Sequence, residues 1–393
     1  MTDWKECKLR DAPIEIIDGD RGKNYPKKDE FLNEGYCLFL NTKNVTNSGF
    51  LFSETSFITQ QKDGVLGKGK LKRNDLVLTT RGTVGNVSFY NNKVPYENIR
   101  INSGMVIIRP EGIDIEFNYQ LFKYLKKDFE TFTTGSAQPQ LPIRDLKEMP
   151  VLLPPLPEQK AIAGVLSSLD DKIDLLHRQN KTLESMAETL FRQWFVEEAK
   201  EEWEKGVIPD EFDFTMGQSP LGTSFNEEGI GVPMYQGNAD FKFRFPKRRI
   251  FTSDPQRFAE KFDTLISVRA PVGAQNMAEE RCCIGRGVAA FRYKKNNPYY
   301  SYTYFKMRSL MQEIQAFNNT GTVFGSISKS DFEELSIIMP PKRIVDCFQQ
   351  EVKPVDDKII TNSIQIRTIE KLRDTLLPKL MSGKVRVGHK ELI

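Results

Sequence analysis

Apolar residues recur at alternating spacings of four and three along one stretch of the chain. Positions 162, 166, 169, 173, 176, 180, 183, 187, 190 and 194 hold Ile162, Leu166, Leu169, Ile173, Leu176, Asn180, Leu183, Ala187, Leu190 and Trp194, nine of them apolar. A seam kept for more than four heptads predicts a long helix packed along its length against another helix. Pro155 and Pro157 stand where a helix can start, and Glu158 lies in the favourable first turn. At about 1.5 Å per residue, roughly 40 residues make a rod of about 60 Å. Few buried helices of globular domains are this long, so a rod in mid-chain reads as a spacer.

On either side the pattern shortens. Residues 1–150 contain β-rich segments such as YCLFLNTKNV, LVLTTRGTVGNVSFY and GMVIIRP, followed by the helical run FNYQLFKYLKKDFETF. Residues 205–340 return to strands in FKFRFPKRRIF, DTLISVRAPVG and RGVAAFRY, and close on YYSYTYFKMRSLMQEIQAF. The last fifty residues again read as helix.

This alternation is an internal repeat. Asp170-Asp171-Lys172-Ile173 matches Asp356-Asp357-Lys358-Ile359 at an offset of 186 residues. The same offset relates Pro154-Pro155 to Pro340-Pro341, Thr134-Gly135 to Thr320-Gly321 and Asp145 to Asp331. It also relates Leu183-Glu184 to Ile369-Glu370 and Thr189-Leu190 to Thr375-Leu376. Upstream, Asp75, Arg81 and Val84-Gly85 match Asp263, Arg269 and Val272-Gly273 at an offset of 188, as two extra loop residues would cause. A shared offset at so many places points to a duplicated module.

Carried to the second copy, the seam gives Phe348, Val352, Val355, Ile359, Asn362, Ile366, Ile369, Arg373, Leu376 and Leu380. Run antiparallel with Asn180 facing Asn362, the two seams pair at every position, with paired numbers summing to 542. Leu176 then meets Ile366, Ala187 meets Val355 and Trp194 meets Phe348. Leu169 opposite Arg373 is the awkward pair. A buried Asn pair lowers stability but fixes register. Pro354 is expected to kink the second helix or restart it.

The run LPPLPEQKAIAGVLSSLDDKID with the downstream ESMAETLFRQWF resembles the central helix of type I restriction–modification specificity (S) subunits. LVLTTRGTVG, TGSAQPQLPIRDLKEMPVLLPPLPEQ and LRDTLLPKLMSGKVRV also fit that family, and the resemblance spans nearly the whole chain. In the second half, Pro340-Pro341-Lys342-Arg343 departs from the pattern by lacking a counterpart to Glu158-Gln159. The resemblance implies an α+β chain: two similar β-rich target-recognition domains separated by two long antiparallel helices, with pseudo-two-fold internal symmetry. The expected divisions are a first recognition domain at 1–154, a spacer helix at 155–204, a second recognition domain at 205–340, and a second spacer helix with tail at 341–393. The seam residues expected to carry the spacer are Leu166, Ile173, Asn180, Leu183, Leu190, Ile359, Asn362, Ile366, Ile369 and Leu376. The resemblance further implies that each domain reads half of a bipartite, asymmetric site on double-stranded DNA. It implies docking of two modification (M) subunits, which bring S-adenosylmethionine, and of restriction (R) subunits in the larger assembly.

Composition is consistent with this and adds exclusions. The chain has 393 residues, 39% hydrophobic and 28% charged, with a net charge of +3 that is weak evidence for nucleic acid by itself. No run of about 18 apolar residues is available to cross a membrane. The segment MTDWKECKLRD lacks the apolar core of a secretory signal, and five cysteines without a CxxC pair argue against disulfides or zinc. A cytoplasmic location is expected.

Catalytic motifs are missing. The nearest approach to an Asn/Asp-Pro-Pro-aromatic methylase motif is Asn297-Pro298-Tyr299-Tyr300, which lacks the second proline and reads as the opening of a helix. Gly67-Lys68-Gly69 and Gly285-Arg286-Gly287 are too short for a cofactor loop, and no Walker motif occurs. His177, next to a seam position, reads as a surface residue; with only His389 besides, a Ser/His/Asp arrangement is not expected. The chain is expected to be no enzyme and to hold neither metal nor cofactor. Two other readings are a self-contained restriction–methylation enzyme and a coiled-coil scaffold that does not touch DNA. The first lacks its motifs. The second leaves two similar domains with chemically different loops unexplained.

DNA phosphates are met by Lys and Arg, and base edges by Arg, Lys, Asn and Gln. The densest basic run holds Lys68, Lys70, Lys72 and Arg73, and reads equally as a solvated turn. Arg81 and its counterpart Arg269 sit at strand ends, with recurrence favouring either a scaffold or a DNA role. The loop at 135–140 offers Gln138 and Gln140, and its counterpart offers Asn318 and Asn319. Lys247, Arg248 and Arg249 follow Phe241, Phe243 and Phe245, whose alternation predicts one buried strand face.

Overall fold

The computed structural model describes residues 3–133, 139–294, 299–318 and 325–387. The chain divides into two units, one made of Met1–Lys172 with Ile369–Ile393 and the other of Ile173–Thr368. Each contains a pair of antiparallel helical segments, drawn from the helices Leu156–Arg192 and Lys342–Met381.

In the first unit an antiparallel sheet has the order Ile14–Asp18, Met105–Pro110, Leu76–Thr79, Val87–Phe89. Its central strands are apolar at consecutive positions because both faces are covered. Leu76, Leu78, Val106 and Ile108 face a core shared with Phe117, Leu121, Ile162 and Leu166. Val77, Met105 and Ile107 face a second core with Leu38, Leu40 and Ile99. That second core is closed by the strands Phe57–Ile58, Cys37–Leu40 and Ile99–Ile101, the last two parallel. Lys5–Lys8 pairs with Pro150–Leu153 just before the long helix begins.

The second unit repeats the plan. Its main sheet has the order Phe212–Met216, Val288–Tyr293, Thr264–Ser267, Gln275–Met277. Ile266, Ala289 and Phe291 face the helical side, whereas Leu265, Val288 and Ala290 face a smaller core behind. The rear sheet is larger here, with five strands. Glu204–Val207 pairs with Ser336–Met339, as Lys5–Lys8 does with Pro150–Leu153.

The helical register follows the sum of 542. In the second unit Asn362 Nδ2 donates to Asn180 Oδ1 at 2.9 Å, both side chains fully buried, and Trp194 lies 6.0 Å from Phe348 between ring centroids. In the first unit Ile162, Leu166, Leu376 and Leu380 share one core. Arg373 relieves its awkward position by donating to Asp170 at 2.9 Å.

Three expectations change. The helix Lys342–Met381 continues through Pro354 instead of breaking there; the ring is exposed, so the missing N–H removes one helical hydrogen bond without a buried clash. The first long helix ends at Arg192 and closes through a wider turn at Gln193–Glu197, short of residue 204. The alternating phenylalanines form no strand: Phe241 and Phe245 are buried but Phe243 is 39% exposed. Arg244 between them adopts a left-handed backbone, φ 62°, and turns inward.

The Glu158-Gln159 pair, missing from the second copy, has a structural task. Glu158 is buried and accepts from Trp4 Nε1 at 2.9 Å and from Arg386 at 2.7 Å. Gln159 accepts from the Asp114 amide and donates to Pro154 O, both at 2.9 Å. In the second unit the equivalent positions are Ile344 and Val345, which join an apolar cluster with Trp203 and Phe195. Apolar packing there replaces the polar clasp.

Candidate nucleic-acid interface

The central strand of each main sheet has two ends with different chemistry. At the start of Leu76–Thr79, Asp75 receives Arg109 through two hydrogen bonds of 2.9 and 2.8 Å. The second unit reproduces this pair as Asp263 and Arg292, at 2.8 and 2.6 Å. A bidentate guanidinium–carboxylate pair across adjacent strands explains why the aspartate repeats. Burial pushes the Asp263 carboxyl up, against the pull of Arg292.

At the far end of the same strands stand Arg81 and Arg269. The backbone around Arg81 is fixed: its N–H donates to Gly104 O at 3.2 Å, and Arg81 bridges to Gln140. Gly82, with φ 71°, donates to Pro139 O. Arg269 is held likewise, by a bridge to Ser326 and by the Val268 N–H donating to Gly287 O at 2.9 Å. Arg269 is exposed and Arg81 partly so, and neither side chain makes a hydrogen bond or ion pair among the described residues.

The other sequence candidates separate along this axis. Lys68 lies toward the Arg81 end, where Asp20 accepts from Gly67 N at 2.7 Å and Gly19 presses against Asn102. It is exposed and makes no side-chain contact of its own. Lys70 instead pairs with Asp63 at 2.5 Å and lies over the Tyr36 ring. Arg73 is at the opposite end of the strand. It donates to the carbonyls of Asn91 and Val94 and to Glu97 at 2.6 Å, and it stacks 4.3 Å from the Tyr90 ring centroid. Lys72 is exposed beside it, and its backbone N–H is bound by Asp75. The basic run is therefore not one patch.

In the second unit Arg249 pairs with buried Asp240 at 2.9 Å, and Arg248 meets Glu279 and Glu280 at 2.9 and 2.8 Å. Burial raises the Glu279 carboxyl, but Arg367 and Arg248 outweigh it and hold it below the usual range. Only Lys247 of that triplet keeps an uncompensated charge. Asn318 grips the Val272 backbone with both amide atoms, at 2.8 and 3.1 Å, so it shapes the Arg269 loop. Gln138 and Asn319 lie outside the described residues.

Two buried arginines escaped the sequence reading. Arg100 is 5% exposed and binds Asp63 at 2.5 Å and the carbonyls of Lys68, Asp63 and Leu66, which fixes the 63–70 loop. Arg244, fully buried, meets Asp356 at 3.1 Å and stacks 3.9 Å above the Tyr304 ring, with none of its nitrogens aligned for a hydrogen bond. Both interrupt apolar runs, but nothing in the pattern names their partners.

Among the described residues no group of three His, Cys, Asp or Glu side chains could hold a metal ion, and no helix is long and apolar enough to cross a membrane. Burial pushes the Cys37 thiol up to about 12. His177 is exposed on the long helix.

Comparison with known proteins bears on this arrangement. The model of the type I restriction modification DNA specificity domain matches residues 1–185 and again 200–371. A protein of Methanocaldococcus jannaschii provisionally named the MjaX specificity subunit of a type I restriction enzyme is 29% identical, over 98% of this chain and 94% of its own. The HindI specificity subunit of Haemophilus influenzae is 22% identical over 98% of this chain and its whole length. The crystal structure of a type I restriction–modification S subunit from M. genitalium has the same fold, with a TM-score of 0.63 at 19% identity, covering 97% of this chain and 96% of that one.

Proposed function

Since the chain belongs to the type I restriction–modification DNA specificity family, a family of specificity subunits with two recognition domains, we propose that each unit reads one half of a bipartite, asymmetric DNA site. The Arg81 and Arg269 ends of the main sheets face the duplex. One observation carries this reading. The repeated carboxylates Asp75, Asp263, Asp170 and Asp356 all engage partners inside their own units, whereas the repeated arginines engage none. Duplicated charge without an internal partner is charge kept for something outside.

The long helices act as the ruler between the half-sites and offer the surface on which two modification subunits dock. Leu175, Met186 and Ile364 are exposed apolar side chains on these helices, 39–51% accessible, and supply part of that surface. The modification subunits bring S-adenosylmethionine, restriction subunits join the larger cytoplasmic assembly, and this chain performs no chemistry. One small domain gains too little from a few base pairs, each worth about 1–3 kcal/mol, to search a genome. Two domains on a stiff spacer add their discrimination and also select a separation.

The test is reconstitution. The purified chain alone should neither bind S-adenosylmethionine nor methylate DNA. With its modification subunits it should methylate one bipartite motif, found by methylome sequencing of a plasmid library. Inserting one heptad into both helices should change the spacer length of that motif; an unchanged spacer would defeat the ruler. Methylation by the chain alone would defeat the non-catalytic assignment.

A further inference from the structure

The Arg269 end of the second unit carries a second arginine that the repeat does not supply. Arg286 lies in Gly285-Arg286-Gly287, between the strands Cys282–Ile284 and Val288–Tyr293. Its backbone N–H is held by Ser219 Oγ at 3.2 Å, and Gly287 O accepts the Val268 N–H next to Arg269. Of the two flanking glycines, Gly287 is required by crowding, as is Gly217 on the neighbouring loop. A Cβ on Gly287 would stand 2.1 Å from Gln236 O, and one on Gly217 would stand 2.1 Å from Gly285 O. Three loops are pressed together here, and Arg286 is exposed on them.

Arg269 and Arg286 line the same open groove, of about 410 Å³, together with Ser326 and Ser328. Among the described residues no carboxylate lines it. Elsewhere in this unit six arginines near the sheets are neutralised: Arg244, Arg248, Arg249, Arg281, Arg292 and Arg308 each meet Asp or Glu, whereas Arg257, just before the strand Phe258–Ala259, pairs with no carboxylate among the described residues but does not line this groove. Arg269 and Arg286 meet none, and both are exposed. Two guanidiniums on one groove without a counter-charge among the described residues repel each other, and hydrogen-bonded backbone holds the loops that carry them. The first unit differs at the equivalent place. Ser103 occupies the Arg286 position, and Arg21, which donates to Ser103 O, is already paired with Asp18.

We propose that Arg269 and Arg286 are specificity-determining residues that read guanine in the half-site of the second unit, each fork donating to O6 and N7 in the major groove. This rests on the bipartite reading above. Guanine is favoured over phosphate because each guanidinium is borne on fixed backbone at the end of a sheet, whereas a phosphate contact is met equally by a mobile lysine. Exposed Gln218 and Gln236 on the adjoining loops add amides suited to adenine edges.

The experiment uses the complex with modification subunits and a duplex carrying the motif that the wild-type complex methylates. Arg286→Gln and Arg269→Gln should each relax or change one guanine position in one half-site, with loss of binding about tenfold or more, and leave the other half-site unchanged. Replacing that guanine by 7-deazaguanine should weaken the wild-type complex and leave the matching variant indifferent. Both residues are exposed, and an unchanged thermal midpoint of each variant confirms folding. If both variants weaken binding equally on all sequences and flatten its salt dependence, the arginines hold phosphates and the proposal falls while the bipartite reading stands. If the wild-type complex recognises no bipartite motif, the functional reading itself fails.

Discussion

Asp170 and Asp356 occupy equivalent positions of the internal repeat, and the two units answer them with different cations. Asp170 accepts from Gln120, Lys123 and Arg373, each at 2.9 Å, and keeps some contact with water. Burial raises its carboxyl, but Lys123 and Arg373 outweigh it and leave it below the ordinary value. Asp356 is wholly buried, accepts from Ser301 at 3.0 Å and faces the equally buried Arg244. There burial wins over Arg244 and holds the carboxyl above its ordinary value. A duplicated fold has kept the acceptor and changed the donor. In the first unit the recognition domain is tied to the long helices by a helix-borne lysine and glutamine. In the second it is tied by an arginine delivered from a loop.

The largest consequence concerns the wholly buried pair. Asp356→Asn leaves Arg244 without its nearest counter-charge, and we expect a loss of about 3–5 kcal/mol. Asp170→Asn leaves partly solvated cations and should lose about 1–2 kcal/mol. Hydrogen exchange of the helices Tyr300–Ser309 and Ile115–Tyr124 reads each unit separately; equal losses would erase the distinction drawn here.

A similar contrast divides the two ends of one strand. Asp75→Ala removes both short hydrogen bonds of Arg109 and leaves it only the looser Glu15 contact at 3.6 Å, and it should destabilise the first unit by about 2–3 kcal/mol in a denaturant titration. Arg81→Ala should change stability by no more than about 0.5 kcal/mol and yet weaken DNA binding by the assembled complex. A stability loss at Arg81 matching that at Asp75 would return the arginine to the scaffold.

Between the helices, Asn180→Leu alone strands the Asn362 amide and should lose about 1–3 kcal/mol. The double change to leucine should recover most of it, since two apolar side chains bury without unmet polar groups. A double-mutant cycle measures the coupling, and strict additivity would mean that the amides do not act as a pair.

The smallest effect is on pH. Because the folded pKa of Asp170 is lowered, its contribution is present above the unfolded value of about 3.9 and is lost as pH falls through the folded value. Acid titration of the first unit should therefore lose part of its slope in Asp170→Asn. An identical slope would show that Asp170 contributes no proton-linked stability.

The seam at 162–194 made the paired helices legible, because apolar spacing at helical period is a long-range signal written locally. Its pairing rule located Asn180 opposite Asn362. The repeat likewise exposed Asp75, Arg81, Asp170 and their partners as positions with a common task. What that task was could not be read, since the repeat alone does not say that Asp75 meets Arg109 while the Arg81 side chain meets no partner. The run Lys68–Arg73 shows the limit most clearly: four nearby cations look like one patch, yet the turn before Leu76 sends Arg73 to Tyr90 and leaves Lys68 by Gly19. Arg286 sits in a glycine motif too short for a cofactor loop, whereas its Gly287 serves loop crowding.

The second unit is one uninterrupted stretch, Ile173–Thr368, whereas the first is assembled from residues before and after it. Synthesis therefore delivers every residue of the second unit before the first can close. Until Leu376, Leu380 and Arg386 leave the ribosome, Ile162 and Leu166 lack part of their core and Glu158 lacks its guanidinium. The first recognition domain to be translated is the last to be finished, and a nascent chain halted at Thr368 would carry one completed unit and one with its helical face open.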